Sequence, residues 1–257
     1  MEEPMRFKDQ GIVITGAGSG IGRESAFEFA AEGGVIAAGD VDIRMAERTA
    51  EEITKKGGRA HAFACDVTKP DAVSAFIEAA EKRLGRLDVL LNSAGIREIS
   101  PVLELTHEQF CKVMDVNVTG TFLVSQAFAR RLVAGGRKGV IVNIASTLGA
   151  VAAPRRAAYT ASKHAVVGLT KEMAMELGEK GIRVTAVGPG VTRTPLTERY
   201  FQDAEMAARI RDIHALGRWG EAREIARAIL FLACEDASFV TGTTLFVDGG
   251  WTAGTRM

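Results

Sequence analysis

Gly11-Ile-Val-Ile-Thr-Gly-Ala-Gly-Ser-Gly-Ile-Gly22 runs from a short apolar, β-branched segment directly into closely spaced glycines. Residues 11–15 fit a buried parallel strand. Arg23 to Gly33 then carries helix-forming residues, with Phe27, Phe29 and Ala30 on the apolar side. A strand, a glycine turn and a helix in that order can set a helix N-terminus against a phosphate. The spacing here is Gly16-x-x-x-Gly20-x-Gly22 rather than the G-x-G-x-x-G of the dinucleotide fingerprint. The turn alone therefore leaves a plain loop as open as a ligand site.

The same unit repeats along the chain. Val35 to Gly39 is a second buried strand, ending at Asp40. An acidic residue about 20 positions past the glycine turn can hydrogen-bond an adenosine ribose. Asp42 is the better cap for the helix Ile43 to Lys56, which Gly57-Gly58 closes. A carboxylate at Asp40 would repel a 2′-phosphate, and no basic residue follows at Val41, which favours NAD over NADP. Further strands are expected at 59–64, 87–91, 139–145, 182–187 and 243–247. Helices are expected at 70–84, at 156–179, at 221–234, and from the capping box Thr106-x-x-Gln109 unbroken to about Ala134. Thr194 to about Ala215 reads as the most loop-like part. Seven strands alternating with helices predict an α/β fold: one doubly wound parallel seven-stranded sheet with helices on both faces. No linker or repeat divides it, so a single domain spanning 1–257 is expected, with a cofactor half at 8–150 and a catalytic and substrate half at 151–257. Ligands of such sheets bind at the C-terminal strand ends, near the point where strand order reverses.

Composition narrows the function. The 257 residues carry no net formal charge and 47% hydrophobic content, enough for one sizeable core. Balanced charge gives no argument for a nucleic-acid or membrane partner. Cys65, Cys111 and Cys234 are too far apart for a disulfide framework or a zinc site, which points to a reducing, cytoplasmic compartment. The start Met1-Glu-Glu-Pro4 is acidic and does not read as a signal peptide. No metal site is expected.

Tyr159-Thr-Ala-Ser-Lys163 puts a phenol and an ammonium one helical turn apart on one face. Free tyrosine has a pKa near ~10, and a neighbouring ammonium lowers it. A phenol so tuned can exchange a proton with an alcohol or ketone. The spacing also arises by chance, so the pair needs partners. Ser146 stands at the end of the strand 139–145. Asn117 sits mid-helix among apolar neighbours, where it needs a bond of its own, either to a strand backbone or within a site.

These residues together resemble the short-chain dehydrogenase/reductase family along essentially the whole chain. The matching elements are Thr15-Gly-Ala-Gly-Ser-Gly-Ile-Gly22, Asp66, Asn92-Ser-Ala-Gly95, Asn117, Ser146, Tyr159-x-x-x-Lys163, Pro189-Gly-x-x-x-Thr194 and Asp248-Gly-Gly250. The resemblance implies a Rossmann-type fold and hydride transfer between NAD and a secondary alcohol or ketone. It implies that Gly16, Gly20 and Gly22 let the backbone approach a pyrophosphate, with Ser19 and Ile21 in the same cofactor-binding set. Asp40 would bind the adenosine ribose, and Asp66 with Val67 the adenine. Asn92, Ala94 and Gly95 would line the cofactor, and Pro189, Gly190, Val191, Thr192 and Thr194 would hold its nicotinamide end. Ser146 would orient the substrate oxygen and Tyr159 pass the proton. Lys163 would bind the nicotinamide ribose, and Asn117 would hold a relay water. The family's substrate pocket falls here on Arg97, Glu98, Thr147, Leu148, Arg155, Arg156 and the run 196–214. Its arginines suit a carboxylate, so a sugar acid or hydroxy acid is one expectation. Members commonly form homotetramers or homodimers through the helices bearing Asn117 and Tyr159 and through the last helix and strand.

Two departures stand out. Ser93 replaces the family's usual Asn, and Gly188, where the family more often has Asn, Ser or Ala, is expected to loosen the hinge of the substrate loop. Competing readings are an NADP-dependent 3-oxoacyl carrier-protein reductase, which Asp40 opposes, and a non-catalytic NAD-binding sensor.

Overall fold

The expected alternation of strand and helix is what the computed structural model shows for residues 5–254; the acidic start at residues 1–4 lies outside the described residues. β1 (Gly11–Thr15), β2 (Val35–Asp40) and β3 (Arg59–Ala64) are linked by α1 (Gly20–Ala31) and α2 (Ile43–Lys55). α3 (Pro70–Leu84) leads to β4 (Val89–Asn92). After α4 (His107–Met114) and α5 (Thr121–Ala134) come β5 (Gly139–Ile144), α6 (Ala157–Leu177) and β6 (Ile182–Pro189). β7 (Thr192–Arg193), α7 (Ala204–Ile213), β8 (Gly220–Glu221), α8 (Ala222–Ala233) and β9 (Thr244–Val247) complete the order.

Seven strands form one sheet in the order β3-β2-β1-β4-β5-β6-β9, and every pairing is parallel. The apolar runs of the central strands are buried on both sides, as parallel strands covered by helices must be. α1, α2 and α8 cover one face through Phe29, Ile53 and Ile229; α3, α5 and α6 cover the other through Phe76, Phe128 and Met173. Strand order reverses between β1 and β4, and that crevice positions the site. β7 and β8 add a two-stranded parallel pair that no periodicity announces, because each strand has two residues.

Three local expectations are corrected. The helix from Thr106 is broken by a π-helical turn, Asp115–Gly120, between α4 and α5. The turn lodges against Val67, where a Cβ on Gly120 would meet the Val67 side chain at 2.7 Å. The stretch read as loop holds α7, capped by Asp203, whose Oδ1 accepts from the Glu205 and Met206 amides. Ala207 and Ile210 carry its buried face. Gly188 lies inside β6 and is no hinge: a Cβ there would come within 2.5 Å of the Phe246 ring on β9. No helix among the described residues is long and apolar enough to cross a membrane.

Candidate active site

A cleft of about 1040 Å³ opens over the C-terminal ends of the strands at the β1/β4 crevice. Its floor is built by close backbone approach. Gly16 has φ +65°, and a Cβ on it would press within 2.8 Å of the Ala94 backbone. Thr15 draws the two turns together, its Oγ1 accepting from the Ser93 and Ala94 amides at 3.2 Å. Ser93, the departure from the family pattern, fits this crowding: its Oγ lies 3.0 Å from where a Gly22 Cβ would stand.

The N-terminus of α1 faces the cleft. Its N-cap Ser19 makes no side-chain cap bond and its first turn holds no acidic residue. Its leading N–H groups are thus left for an anion, which the helix dipole favours. Asp40 closes the far side: Oδ2 accepts from Gly18 N at 2.9 Å and Oδ1 from Asp42 N at 3.0 Å, which fixes the carboxylate at the cleft edge. Arg44, the nearest basic side chain in sequence, is paired with Asp42 instead. Asp66 is held by the Thr68 hydroxyl and amide, which keep its carboxyl below the usual range. The glycine cradle, the uncapped helix and the fixed carboxylate fit a dinucleotide.

At the other end, Ser146 follows β5, and α6 presents Tyr159 and Lys163. Lys163 is buried and donates from Nζ to the Ile144 carbonyl at 2.7 Å; Nζ lies 5.5 Å from the centre of the Tyr159 ring. Burial lowers the Lys163 pKa to about 8. It pushes the Tyr159 phenol up, and the hydrogen bond with Ser146 and the charges of Arg97 and Arg156 pull the other way. Among the protein's own groups desolvation is the largest of these, and the net shift is upward. Glu98 anchors the start of α6, accepting from Ala158 N and Tyr159 N at 2.8 and 3.0 Å. Asn117 sits in the π-turn and clamps the neighbouring turn. Its Oδ1 accepts from Ile96 N, and its Nδ2 donates to Ile96 O and to Ser162 Oγ.

Of the residues singled out from sequence, Gly16, Ser19, Gly20, Ile21, Asp40, Asp66, Val67, Ala94, Gly95, Ser146, Tyr159, Lys163, Pro189, Gly190, Thr192 and Thr194 line this one cleft. Others do not. Asn92 points beneath the sheet, where its Nδ2 donates to Ser125 Oγ and Asn143 Oδ1. Thr147 and Leu148 are buried in a 3-10 turn packed on α6, and the Leu148 amide donates to Ser146 Oγ. Arg155 takes a positive φ of 62° and leaves its side chain exposed, while Arg156 turns inward to Tyr200. Val191 contributes no cleft wall; its amide donates to the buried His214 Nε2 at 3.2 Å.

Thr15, Ser162, Tyr200 and His214 fall within stretches singled out from sequence, Tyr200 and His214 in the run 196–214, but none of the four had a role of its own. Thr15 and Ser162 adjoin singled-out residues, which is a usable signal. Tyr200 meets Arg97 across 103 positions and His214 meets Val191 across 23, and nothing local marks either pairing.

A family model described as Enoyl-(Acyl carrier protein) reductase matches residues 16–252. A 2,5-dichloro-2,5-cyclohexadiene-1,4-diol dehydrogenase of Sphingobium indicum is 40% identical over 244 residues, 94% of this chain and 96% of that protein. A 3-oxoacyl-[acyl-carrier-protein] reductase of Thermotoga maritima is 37% identical, covering 96% and 99%. The crystal structure of a gluconate 5-dehydrogenase from Burkholderia cenocepacia in complex with NADP and tartrate superposes with a TM-score of 0.93 at 35% identity, covering 98% of each chain.

Proposed function

The chain belongs to the short-chain dehydrogenase/reductase family and is an oxidoreductase of secondary alcohols and their ketones, and from that premise we propose that it prefers NAD(H) and uses Tyr159 to handle the proton. The observation that carries this reading is one cleft with Ser146, Tyr159 and Lys163 at one end and the glycine cradle and Asp40 at the other.

A bound nicotinamide supplies or accepts the hydride; the chain does the rest. The α1 N-terminus and Gly16, Ser19, Gly20, Ile21 and Gly22 hold the diphosphate. Asp40 takes the adenosine ribose, and Asp66 with Val67 the adenine edge. Ala94 and Gly95 pack along the dinucleotide, and Pro189, Gly190, Thr192 and Thr194 frame its nicotinamide end. Ser146 holds the substrate oxygen beside the Tyr159 hydroxyl. In reduction Tyr159 gives its proton to that oxygen, and in oxidation its phenolate takes the proton from the alcohol. Lys163 keeps most of its charge at pH 7 and supports the phenolate. Asn117 positions Ile96 and, through Ser162, the helix that carries the pair; it is the candidate to hold a relay water.

NAD preference rests on Asp40. A 2′-phosphate beside its carboxylate meets like charge with no free basic side chain in the adjacent turn. The gluconate 5-dehydrogenase relative was solved with NADP, so the choice needs a direct test. Asp40→Ala is expected to cut kcat/KM with NAD about tenfold or more and to spare NADP, as loss of a charged ribose contact implies. Equal effects on both cofactors would remove the preference. The reaction itself is tested with a panel of secondary alcohols, sugars, sugar acids and steroids, following reduced-cofactor absorbance. Tyr159→Phe is expected to lower turnover by about 10²–10⁴ and to leave cofactor binding intact. Unchanged turnover would remove Tyr159 from the proton step, and cofactor binding with no turnover of any panel member would favour the sensor. The 3-oxoacyl carrier-protein reductase reading requires NADP, and the same Asp40 variant separates it.

We also place the protein in a reducing cytoplasm, which suits three free cysteines, and assign it a homotetramer or homodimer. Support for assembly comes from apolar side chains left exposed on the helices named for it: Phe110 on α4, Phe122 on α5, Met175 on α6 and Phe231 on α8.

A further inference from the structure

Two guanidinium groups converge on one neutral oxygen at the rim of the cleft. Arg97 Nη1 donates to Tyr200 Oη at 2.5 Å, and Arg156 Nη2 donates to the same oxygen at 2.5 Å. The Arg97 guanidinium also lies over the Tyr200 ring, 4.6 Å from its centre. Its second arm donates to the Leu196 carbonyl. Among the described residues no carboxylate pairs with either arginine. Glu98, next to Arg97 in the chain, spends both oxygens on the first turn of α6.

This arrangement is unfinished electrostatically. A phenol satisfies one hydrogen bond to each guanidinium and neutralises no charge. Arg97 is partly withdrawn from water, and burial lowers its affinity for the proton. A partly desolvated pair of cations with only neutral acceptors calls for an anion. A carboxylate offers these two guanidiniums opposite charge and two acceptor oxygens in a geometry that matches their planar donors, whereas the Tyr200 hydroxyl offers one uncharged oxygen.

The place is also right. Arg97 follows Ile96 and contacts Leu196, and both of those line the cleft. Arg156 is the N-cap of α6, three residues before Tyr159. An anion held there lies at the substrate end, away from the glycine cradle and Asp40. Tyr200 rides on a short 3-10 turn, Glu198–Tyr200, in the connection between β7 and α7. None of its residues belongs to the seven-stranded sheet.

We propose that Arg97 and Arg156 form the subsite for a carboxylate on the alcohol substrate, and that Tyr200 occupies this fork and yields it when the carboxylate arrives. The proposal rests on the secondary-alcohol oxidoreductase reading and deepens it: the substrates are hydroxy acids or their keto forms, with the acid group at the Arg97–Arg156 end and the carbinol at Tyr159.

The test compares short hydroxy acids, 3-hydroxybutyrate and 4-hydroxypentanoate among them, with their uncharged methyl esters. In the wild-type protein the acid is expected to exceed its ester in kcat/KM by about tenfold or more, the scale of one desolvated ionic contact. Arg97→Ala and Arg156→Ala are expected to abolish that ratio, Arg156→Lys to restore part of it, and Tyr200→Phe to lower KM for the acid. No preference for any acid in the wild type, or equal losses on acid and ester in the arginine variants, overturns the subsite and leaves the fork a structural latch. Calorimetry with malate reads the subsite independently of turnover. Binding weakened by about tenfold in both alanine variants sustains it even if no alcohol is oxidised, whereas absent or unaltered malate binding ends it. Circular dichroism of Arg97→Lys and Arg156→Lys separates loss of the subsite from loss of the fold.

Discussion

Burial holds Lys163 at a pKa of about 8 while its Nζ donates to the Ile144 carbonyl at 2.7 Å. The folded chain therefore binds this proton less tightly than the unfolded chain does. Below pH 8 both states are protonated and the native state carries the full burial penalty, about 3 kcal/mol for a shift of this size. The penalty fades as pH rises from 8 toward the unfolded value near ~10.4. Lys163→Met is thus expected to abolish turnover while unfolding at pH 7 no earlier than wild type in urea, with any advantage gone by about pH 10. Tyr159 is shifted upward, so its protonated form persists to higher pH. Ketone reduction is expected to hold through neutral pH, and alcohol oxidation to climb with pH, in profiles of kcat/KM taken in both directions. Asn92 shows the reverse separation. Its amide serves the buried Ser125–Asn143 network rather than the cleft. Asn92→Ala is expected to cost about 1–3 kcal/mol of stability, the usual penalty for stranding buried polar groups, with little change in cofactor KM.

At the scale of elements, α7 and the π-turn brace the loops that frame the cleft. His214, just past α7, uses both ring nitrogens. Nδ1 meets the Ile210 carbonyl at 2.6 Å and Nε2 accepts from Val191 N at 3.2 Å. This requires the neutral Nδ1–H tautomer, and the ring thereby pins the loop between β6 and β7. His214→Ala leaves the Val191 amide without its partner. The expected result is a several-fold rise in cofactor KM with a smaller effect on kcat, on the scale of one buried hydrogen bond. The π-turn plays the matching part on the opposite wall, where Asn117 clamps Ile96. Such turns are frequent at functional sites because the extra residue redirects one side chain without ending the helix. The helix pattern around Asn117 was legible in sequence, but the π-turn was not, since six residues are too few for its slightly longer period to stand out from that of an α-helix. α7 was missed for a related reason: most of its outward face is charged, and only Ala207 and Ile210 are buried.

Across the whole molecule, β4, β5 and β6 join the glycine-turn half to the Tyr159 half in one continuous sheet. Neither half buries its strands alone. The proposed single domain is therefore expected to unfold in one cooperative transition, with fluorescence and circular dichroism midpoints coinciding in urea. Two separated transitions would divide it. The proposed assembly is checked by sedimentation, where a mass near the 27.4 kDa of one chain at working concentration would rule it out.

The sequence by itself determined the sheet, the glycine turn with Asp40 at its edge, and the placing of Tyr159 and Lys163 on one helix face. Those depend on short-range patterns: period, glycine spacing, and a Tyr and a Lys one turn apart. Only the tertiary structure decided which polar residues face the cleft. Asn92 and Tyr159 look equally eligible in the chain, yet one points beneath the sheet and the other into the opening. It also decided that Arg156, not Arg155, meets Arg97 at Tyr200. That choice follows from a positive φ at Arg155 and from a contact across 103 residues, and side-chain direction across such separations is set by packing, which no local pattern carries.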